Sequence, residues 1–564
     1  MDKFKIATSV FFGVALITVN IGAQDTLLNI LSEEINREMD ALKSQTIAPY
    51  YIDYRVDNIN STTISTSFGS LVTQNEENGR ILTSIVKVGD YAFDNTHEIN
   101  GTYGIGGLAQ PFAIKLPFEN VPIAIKQSLW QATHYAYRNA VDAFNQVQSG
   151  VKMETSSSKT PDFSIEKPEV YYEEPVNNSF HENKKWIARL KKYSEPFLAD
   201  DKIISADAIF TYITDRKYFV STEGTKIVQN SSYCQLQIVA VIKADDGSVL
   251  PLFRSYYAFT PDKLTPHEQI VADIKAMIIQ LKQLRTAPEA DAYSGPAILS
   301  PSASAVFFHE IFGHRVEGHR LKSVSDSQTF KAKIGTRVLP KFMDIISDPL
   351  QSKFMGKDMF GYYKFDDQGV KAQHVDIVKD GILENFLMSR SPIDGFPNSN
   401  GHGRSQAGMS PVARQSNLVV ESRKQLTEKE LRKKIIAECK KENKPYGYLF
   451  DQVVGGFTLT NRYTPNVFNV KPTVVYKIYV DGRPDEMVRG LNFIGTPLAI
   501  FSEVEATGDS IGMFTGYCGA ESGTIPVTAV SPSLYIKKIE TQKQPESYGQ
   551  MPLLPRPDVE KISK

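Results

Sequence analysis

SPSASAVFFHEIFGHRVEGHR, residues 300–320, holds three of the nine histidines of the chain, His309, His314 and His319, within eleven residues. Ala297-Ile298-Leu299 just before it reads as a short strand. Ser300-Pro301 then supplies an N-cap and a first-turn proline, and Gly318 offers a C-cap, so a helix is predicted over 301–317. Glu310 follows His309 directly, and His314 comes five residues after it, giving H-E-x-x-x-H. Neutral imidazoles are common zinc ligands, and a neighbouring carboxylate can take a proton from water that the metal activates. The competing reading is a helix whose histidines are capped or solvated. On a straight helix, at about 100° per residue, positions i and i+5 stand about 140° apart. The metal reading therefore requires a distorted helix, with a π-bulge near Gly313 as the expected device.

A zinc site needs a third protein ligand, and context sorts the three cysteines. Cys234, in YCQLQIVAV (233–241), alternates onto the face of Leu236 and Ile238 and reads as core. Cys439 sits on the apolar stripe of a helix and reads as core too. Cys518 lies in GMFTGYCGAESG (512–523), a glycine-rich stretch expected to turn and let backbone approach an ion. Two imidazoles, one thiolate and a water make an open catalytic tetrahedron. Taken alone, Cys518 reads equally as a small buried turn residue.

Around this centre the chain is ordinary in composition. Its 564 residues exceed what one core usually serves, so two or more domains are expected. With 41% hydrophobic and 23% charged residues it is neither disordered nor fibrous. Lys and Arg number 63 against 64 Asp and Glu, and that net charge of −1 gives no field to gather nucleic acid. Three cysteines exclude a disulfide scaffold. Residues 1–23 run from a lysine-bearing MDKFK through an apolar stretch, 6–21, to Gly22-Ala23. That order predicts a signal peptide cleaved after Ala23, and hence a periplasmic or extracellular protein. The apolar stretch is short of the ~20 residues of a membrane span, though an uncleaved anchor is the alternative. No later stretch is apolar enough to span, so no stable membrane span is expected in the mature chain.

Periodicity divides the rest. A helix is expected over 25–43, a hairpin turning at Asn78-Gly79 between SFGSLVTQ and RILTSIVKVGDYAF, and a helix over 120–148. Residues 153–194 read as an insertion or linker partly on the surface, followed by strands over 203–259 turning at Asp246-Gly247 and a helix over 266–284. Beyond 290 the pattern is mostly β, with hairpins at Asp380-Gly381 and Asp481-Gly482 and one helix over 427–443. A polar, proline-rich tail from about 541 reads as flexible. The expectation is α+β: an N-terminal α+β domain over 24–290, with an insertion near 150–195, and a strand-rich C-terminal domain over 291–540.

PAILSPSASAVFFHEIFGHRVEG, GVKAQHVDIVKDGILENFL, GHGRSQAGMSPVARQSNLVV, MVRGLNFIGTPLAIF and GYCGAESGTIPVTAVSPSLYI occur in the order and spacing of the TldD/PmbA family, also called modulators of DNA gyrase. The chain resembles that family strongly over 290–540 and more weakly over 25–290. The resemblance implies a metallopeptidase with Zn2+ held by His309, His314 and Cys518 and with Glu310 as general base. It further implies extended or unfolded peptides as substrates, and a homodimer or a heterodimer with a partner subunit lacking the motif. Keeping all four residues, the chain resembles the catalytic kind. The familiar members are cytosolic, whereas this chain carries an export signal and extra length near 150–195. His319 reads as a solvated or supporting histidine rather than a ligand. Arg404 and Arg414 are open between gripping a peptide and structural ion pairing. The leading expectation is a zinc-dependent peptidase. The alternatives are a non-catalytic, zinc-stabilised binding or assembly subunit, and a hydrolase of some non-peptide amide.

Overall fold

Strand-forming sequence dominates both halves of the chain, and each half builds one large sheet, the second with two small two-stranded ones besides. The computed structural model describes residues 25–98, 111–151, 160–176, 180–322, 328–458 and 468–544. The first helix, α1 (Thr26–Leu42), is capped by the Asp25 carboxylate, which accepts from the Leu28 backbone N–H at 3.1 Å. Its buried Leu27, Leu31 and Ile35 pack with α2 (Pro122–Val151), whose Leu129, Ala132, Ala136 and Ala140 allow a close approach. Both helices cover a sheet formed by β1 (Pro49–Ser67), β2 (Ser70–Val88), β3 (Phe112–Lys115), β4 (Val170–Tyr172), β5 (Ile203–Ser221), β6 (Lys226–Lys243) and β7 (Val249–Ala258). The order is β3-β2-β1-β5-β6-β4, with β7 also on β6.

Two sequence expectations fail in this half. The hairpin does not turn at Asn78-Gly79: that pair lies inside β2, where Gly79 faces Ile59. The turn is Phe68-Gly69, both at positive φ (46° and 81°). Strand β1 has 19 residues, and an uninterrupted β2 of 19 residues pairs it end to end, which a turn at 78–79 would prevent. The stretch read as an insertion or linker partly on the surface also joins the core. β4 pairs in parallel with β6, and α3 (Asn183–Ser194) buries Trp186, Leu190 and Tyr193. Trp186 stacks on Phe210 of β5 at 4.0 Å between centroids. Three basic residues between those apolar ones, with two more lysines just before Trp186, disguise the stripe.

After α4 (His267–Thr286) the chain enters a twelve-stranded sheet. It uses β8 (Tyr293–Leu299), β9 (Met343–Ser347), β10 (Val375–Lys379), β11 (Ile382–Leu383), β12 (Asn417–Ser422), β13 (Tyr446–Thr458), β14 (Phe468–Tyr479), β15 (Glu486–Val488), β16 (Leu491–Ile494), β17 (Val504–Ala520) and β18 (Gly523–Lys543), plus Gln425–Leu426. The main order is β11-β10-β9-β12-β18-β8-β13-β14-β15. The Asp380-Gly381 hairpin forms as expected, both residues at positive φ. Between β8 and β9 lies α5 (Pro301–Ile311); α6 (Glu428–Lys441) opens with a Thr427/Glu430 capping box. The fold is α+β with its strand-rich part at the C-terminal end. Strand β18 runs to Lys543 against β16, so the start of the supposed tail belongs to the sheet. The expected signal segment and the remainder of the tail lie outside the described residues. No described helix is long and apolar enough to cross a membrane.

Candidate metal centre

The central helix begins as its sequence dictates. The Ser300 hydroxyl accepts from the Ala303 N–H at 3.2 Å and Pro301 occupies the first turn. Its end differs from expectation. Helix α5 stops at Ile311, and a three-residue 3-10 turn, Gly313–Arg315, follows; there is neither a helix to 317 nor a π-bulge. The end carbonyls are taken by side chains. The Arg315 guanidinium donates to the oxygens of Glu310 (3.2 Å) and Ile311 (3.0 Å), and the Gln415 amide donates to that of His309 (3.2 Å). A Cβ on Gly313 would stand 1.8 Å from Gln415 Oε1, so glycine makes room for that amide. The chain thus changes direction after Phe312, and the His309 and His314 rings meet at 5.1 Å between centroids.

Cys518 reaches the same place from a strand, not from a turn. It lies in β17 opposite Ile525, and the chain reverses only at the following Glu521-Ser522. Of the glycines in this strand, Gly512 serves close packing: a Cβ there would meet that of Pro301 at 2.5 Å, where β17 passes the start of α5. Cys234 and Cys439 are both buried in core clusters away from the histidines, as their context suggested.

His309, His314 and Cys518 offer donor atoms all within 4.8 Å of one another, the only such group among the described residues. Cys518 Sγ is 3.3 Å from His314 Nε2. His309 Nδ1 is buried and has no hydrogen-bond partner. Burial pushes the Cys518 thiol up, and the charges and hydrogen bonds of His314 and His309 reverse this, holding it well below an ordinary thiol. Burial pulls the His314 imidazolium down, but Glu317 and Cys518 raise it well above the ordinary value. An unpartnered imidazole nitrogen beside a thiolate and a second imidazole is a donor set that fits zinc. Glu310 stands at the rim, its Oε2 4.0 Å from His314 Nε2 and its side chain 11% exposed.

Sequence reasoning missed Glu317. Its carboxylate is fully buried and 3.1 Å from His314 Nδ1, so it orients that ring. The available signal was a carboxylate three residues after a motif histidine. His319 is not a donor in the group; its Nε2 bonds the Glu521 carboxylate at the β17–β18 tip. Arg404 and Arg414 are buried and occupied with backbone, which favours the structural reading. Arg404 donates to the oxygens of Gln415 and Pro526, and Arg414 donates to those of Cys518 and Gly523.

Beside the group opens a cleft of about 810 Å³ between β7, which pairs on one side only, and the α5–β17 wall. Ser302, Val306 and Phe514 line it, and the Phe514 ring lies 5.7 Å from that of His309.

Comparison with known proteins agrees with this architecture. Residues 293–543 match the family model described as the PmbA/TldA metallopeptidase C-terminal domain. A metalloprotease of Methanocaldococcus jannaschii is 24% identical over 332 residues, 58% of this chain and 68% of the relative. A zinc metalloprotease TldD homolog of Saccharolobus solfataricus is 24% identical over 330 residues, 57% of this chain and 68% of its own. The crystal structure of TldE from Thermococcus kodakarensis superposes with a TM-score of 0.61 at 14% identity, covering 92% of this chain and all of that one. A Thermotoga maritima structure described as a modulator of a DNA gyrase gives 0.60 at 14%, covering 90% and 99%.

Proposed function

The chain is a member of the TldD/PmbA family, and from that premise we propose that it is a zinc-dependent peptidase acting on extended or unfolded peptides. The observation that carries the proposal is the convergence of His309, His314 and Cys518 within 4.8 Å, with Glu310 beside His314 and with Phe514 joining the group to the neighbouring cleft. In this reading His309, His314 and Cys518 are the ligands of the HExxxH-type centre. Bound zinc would polarise the scissile carbonyl and ease loss of a proton from water. Glu310 accepts the proton of the attacking water and returns it to the leaving amine. Substrate backbone lies along the open edge of β7, in the β-strand mode of peptide recognition. Three protein donors, with Glu310 free of the set, favour an open catalytic site over the closed four-ligand site of a purely structural zinc.

Two further proposals accompany this one. The mature chain begins near Gln24 outside the cytoplasm, which N-terminal sequencing of the processed protein tests. It works as a homodimer or with a partner subunit, and TldE among the structural relatives is the support for a partner. The central experiment measures zinc content and turnover of an unstructured peptide for the wild type and Glu310→Gln. Zinc retained with turnover lost supports the peptidase. Equal turnover in both proteins overturns the assigned base.

A further inference from the structure

We propose that Glu317, Arg414 and Gln415 form one buried scaffold that positions all three donor side chains, so that no donor is set independently of the other two. The proposal rests on the zinc reading above and adds positioning residues to it. His309, His314 and Cys518 come from a helix, a turn and a strand. No local rule brings such elements together to the few tenths of an ångström that a tetrahedral centre requires.

The adjacent residues Arg414 and Gln415 reach two of the three. Arg414 Nη2 donates to the carbonyl of Cys518 at 2.8 Å, and its Nη1 donates to Ser522 Oγ at 2.8 Å and to the Gly523 oxygen at 3.1 Å. That grip fixes the end of β17 and its reversal. Gln415 Nε2 donates to the carbonyl of His309 at 3.2 Å, while its Oε1 has no partner. Glu317 reaches the third. Its Oε2 is 3.1 Å from His314 Nδ1 and accepts from Arg320 Nε at 2.9 Å. Its Oε1 accepts from the Gln415 backbone N–H at 3.3 Å and lies 3.6 Å from Arg414 Nε, which closes the triangle.

Glu317 and Arg414 have no exposed surface, and Gln415 is only 1% exposed. Such buried charges persist only when paired and hydrogen-bonded. Here the pairing is spent on the backbones of two donors and the ring of the third. With Nδ1 held by the carboxylate, His314 presents Nε2 to Cys518 Sγ at 3.3 Å.

The test is a cobalt(II) titration of the full-length chain, read as dissociation constant and as absorption spectrum, with near-ultraviolet circular dichroism as the check of folding. Glu317→Gln removes the charge that holds His314 and should weaken Co2+ binding by roughly 10–100-fold. Gln415→Met keeps the volume and the neutrality, and removes only the hold on His309. It should weaken binding by about 3–10-fold and alter the tetrahedral bands, an effect on geometry at the small end of supporting-residue effects. The double variant should lose less than the product of the two, because both act through one network. A remote core variant, Ile435→Val in α6, lowers stability alone and should leave affinity and spectrum unchanged. Wild type without a thiolate-to-cobalt band would overturn the ligand reading and the scaffold together. A wild-type band with unchanged affinity and spectrum in both folded variants overturns the scaffold and leaves the ligands standing.

Discussion

Two of the clusters of buried charge among the described residues do opposite things with it. Between the sheets, Arg55 Nε meets Asp57 at 3.0 Å and donates onward to Ser405 Oγ and the Gln406 oxygen, while Lys217 bonds Asp367. Arg55 and Asp57 share β1, while Ser405, Gln406 and Asp367 belong to the other half, so these bonds form a clasp between the halves of the molecule. At the candidate metal centre Glu317 and Arg414 are equally buried, but they hold other side chains and strands, and His309 Nδ1 is left without a partner. Buried charge alone does not mark a site. A site shows where the charge is directed and which donor atoms remain over.

That contrast predicts separable consequences. The largest effect belongs to His314→Ala and Cys518→Ala. Each removes a proposed ligand, so zinc stoichiometry and peptide turnover should fall together to background, as metal analysis and an activity assay on the same preparations will read. Next comes Glu310→Gln, which should keep zinc while turnover falls by roughly 10²–10⁴-fold, measured as kcat.

The clasp should answer in the other currency. Arg55→Met takes the nearer of two cations from buried Asp57, leaving Lys217 at 3.6 Å, and should cost about 3 kcal/mol in chemical denaturation, with zinc content unchanged in the folded fraction. Loss of zinc at full stability would erase the distinction between the clusters. The smallest effect concerns Asp53, next to the clasp on β1. Burial pushes its carboxyl up to about 7, against the pull of Tyr51, Arg55 and Arg390. The folded state therefore holds a proton that the unfolded chain releases near pH 4, and stability is lost as pH rises from there through 7. Asp53→Asn should match the wild type near pH 4 and exceed it by about 1–3 kcal/mol at pH 8, seen as a flattened profile of unfolding free energy against pH.

Much of the centre was legible from residue chemistry. His309, Glu310 and His314 stand together in one short segment, and Cys518 differs from Cys234 and Cys439 by lacking an apolar stripe around it. Capped helices were legible too, because their signals are local: Asp25 before α1 and the Thr427/Glu430 pair before α6 satisfy N–H groups within three residues. Hairpins with Asp-Gly at the tip announced themselves for the same reason.

The errors share one cause. The Asn78-Gly79 pair carries a turn signal, yet the partner that β1 requires runs straight through it. Helix α3 hides three apolar residues among lysines until Phe210 arrives to meet them. The end of α5 at Ile311 depends on Gln415, a hundred residues later, filling the space above Gly313 and taking a helix carbonyl. Glu317 looks like any exposed carboxylate until Arg414, Arg320 and Gln415 enclose it. Spacing along the chain settles which residue types can do zinc chemistry, and which segments can cap or reverse themselves, because those bonds close within a few residues. The direction in which the donors point, and which buried charge holds them, is settled by the folded chain, because a buried polar group must find its partner wherever the fold brings one.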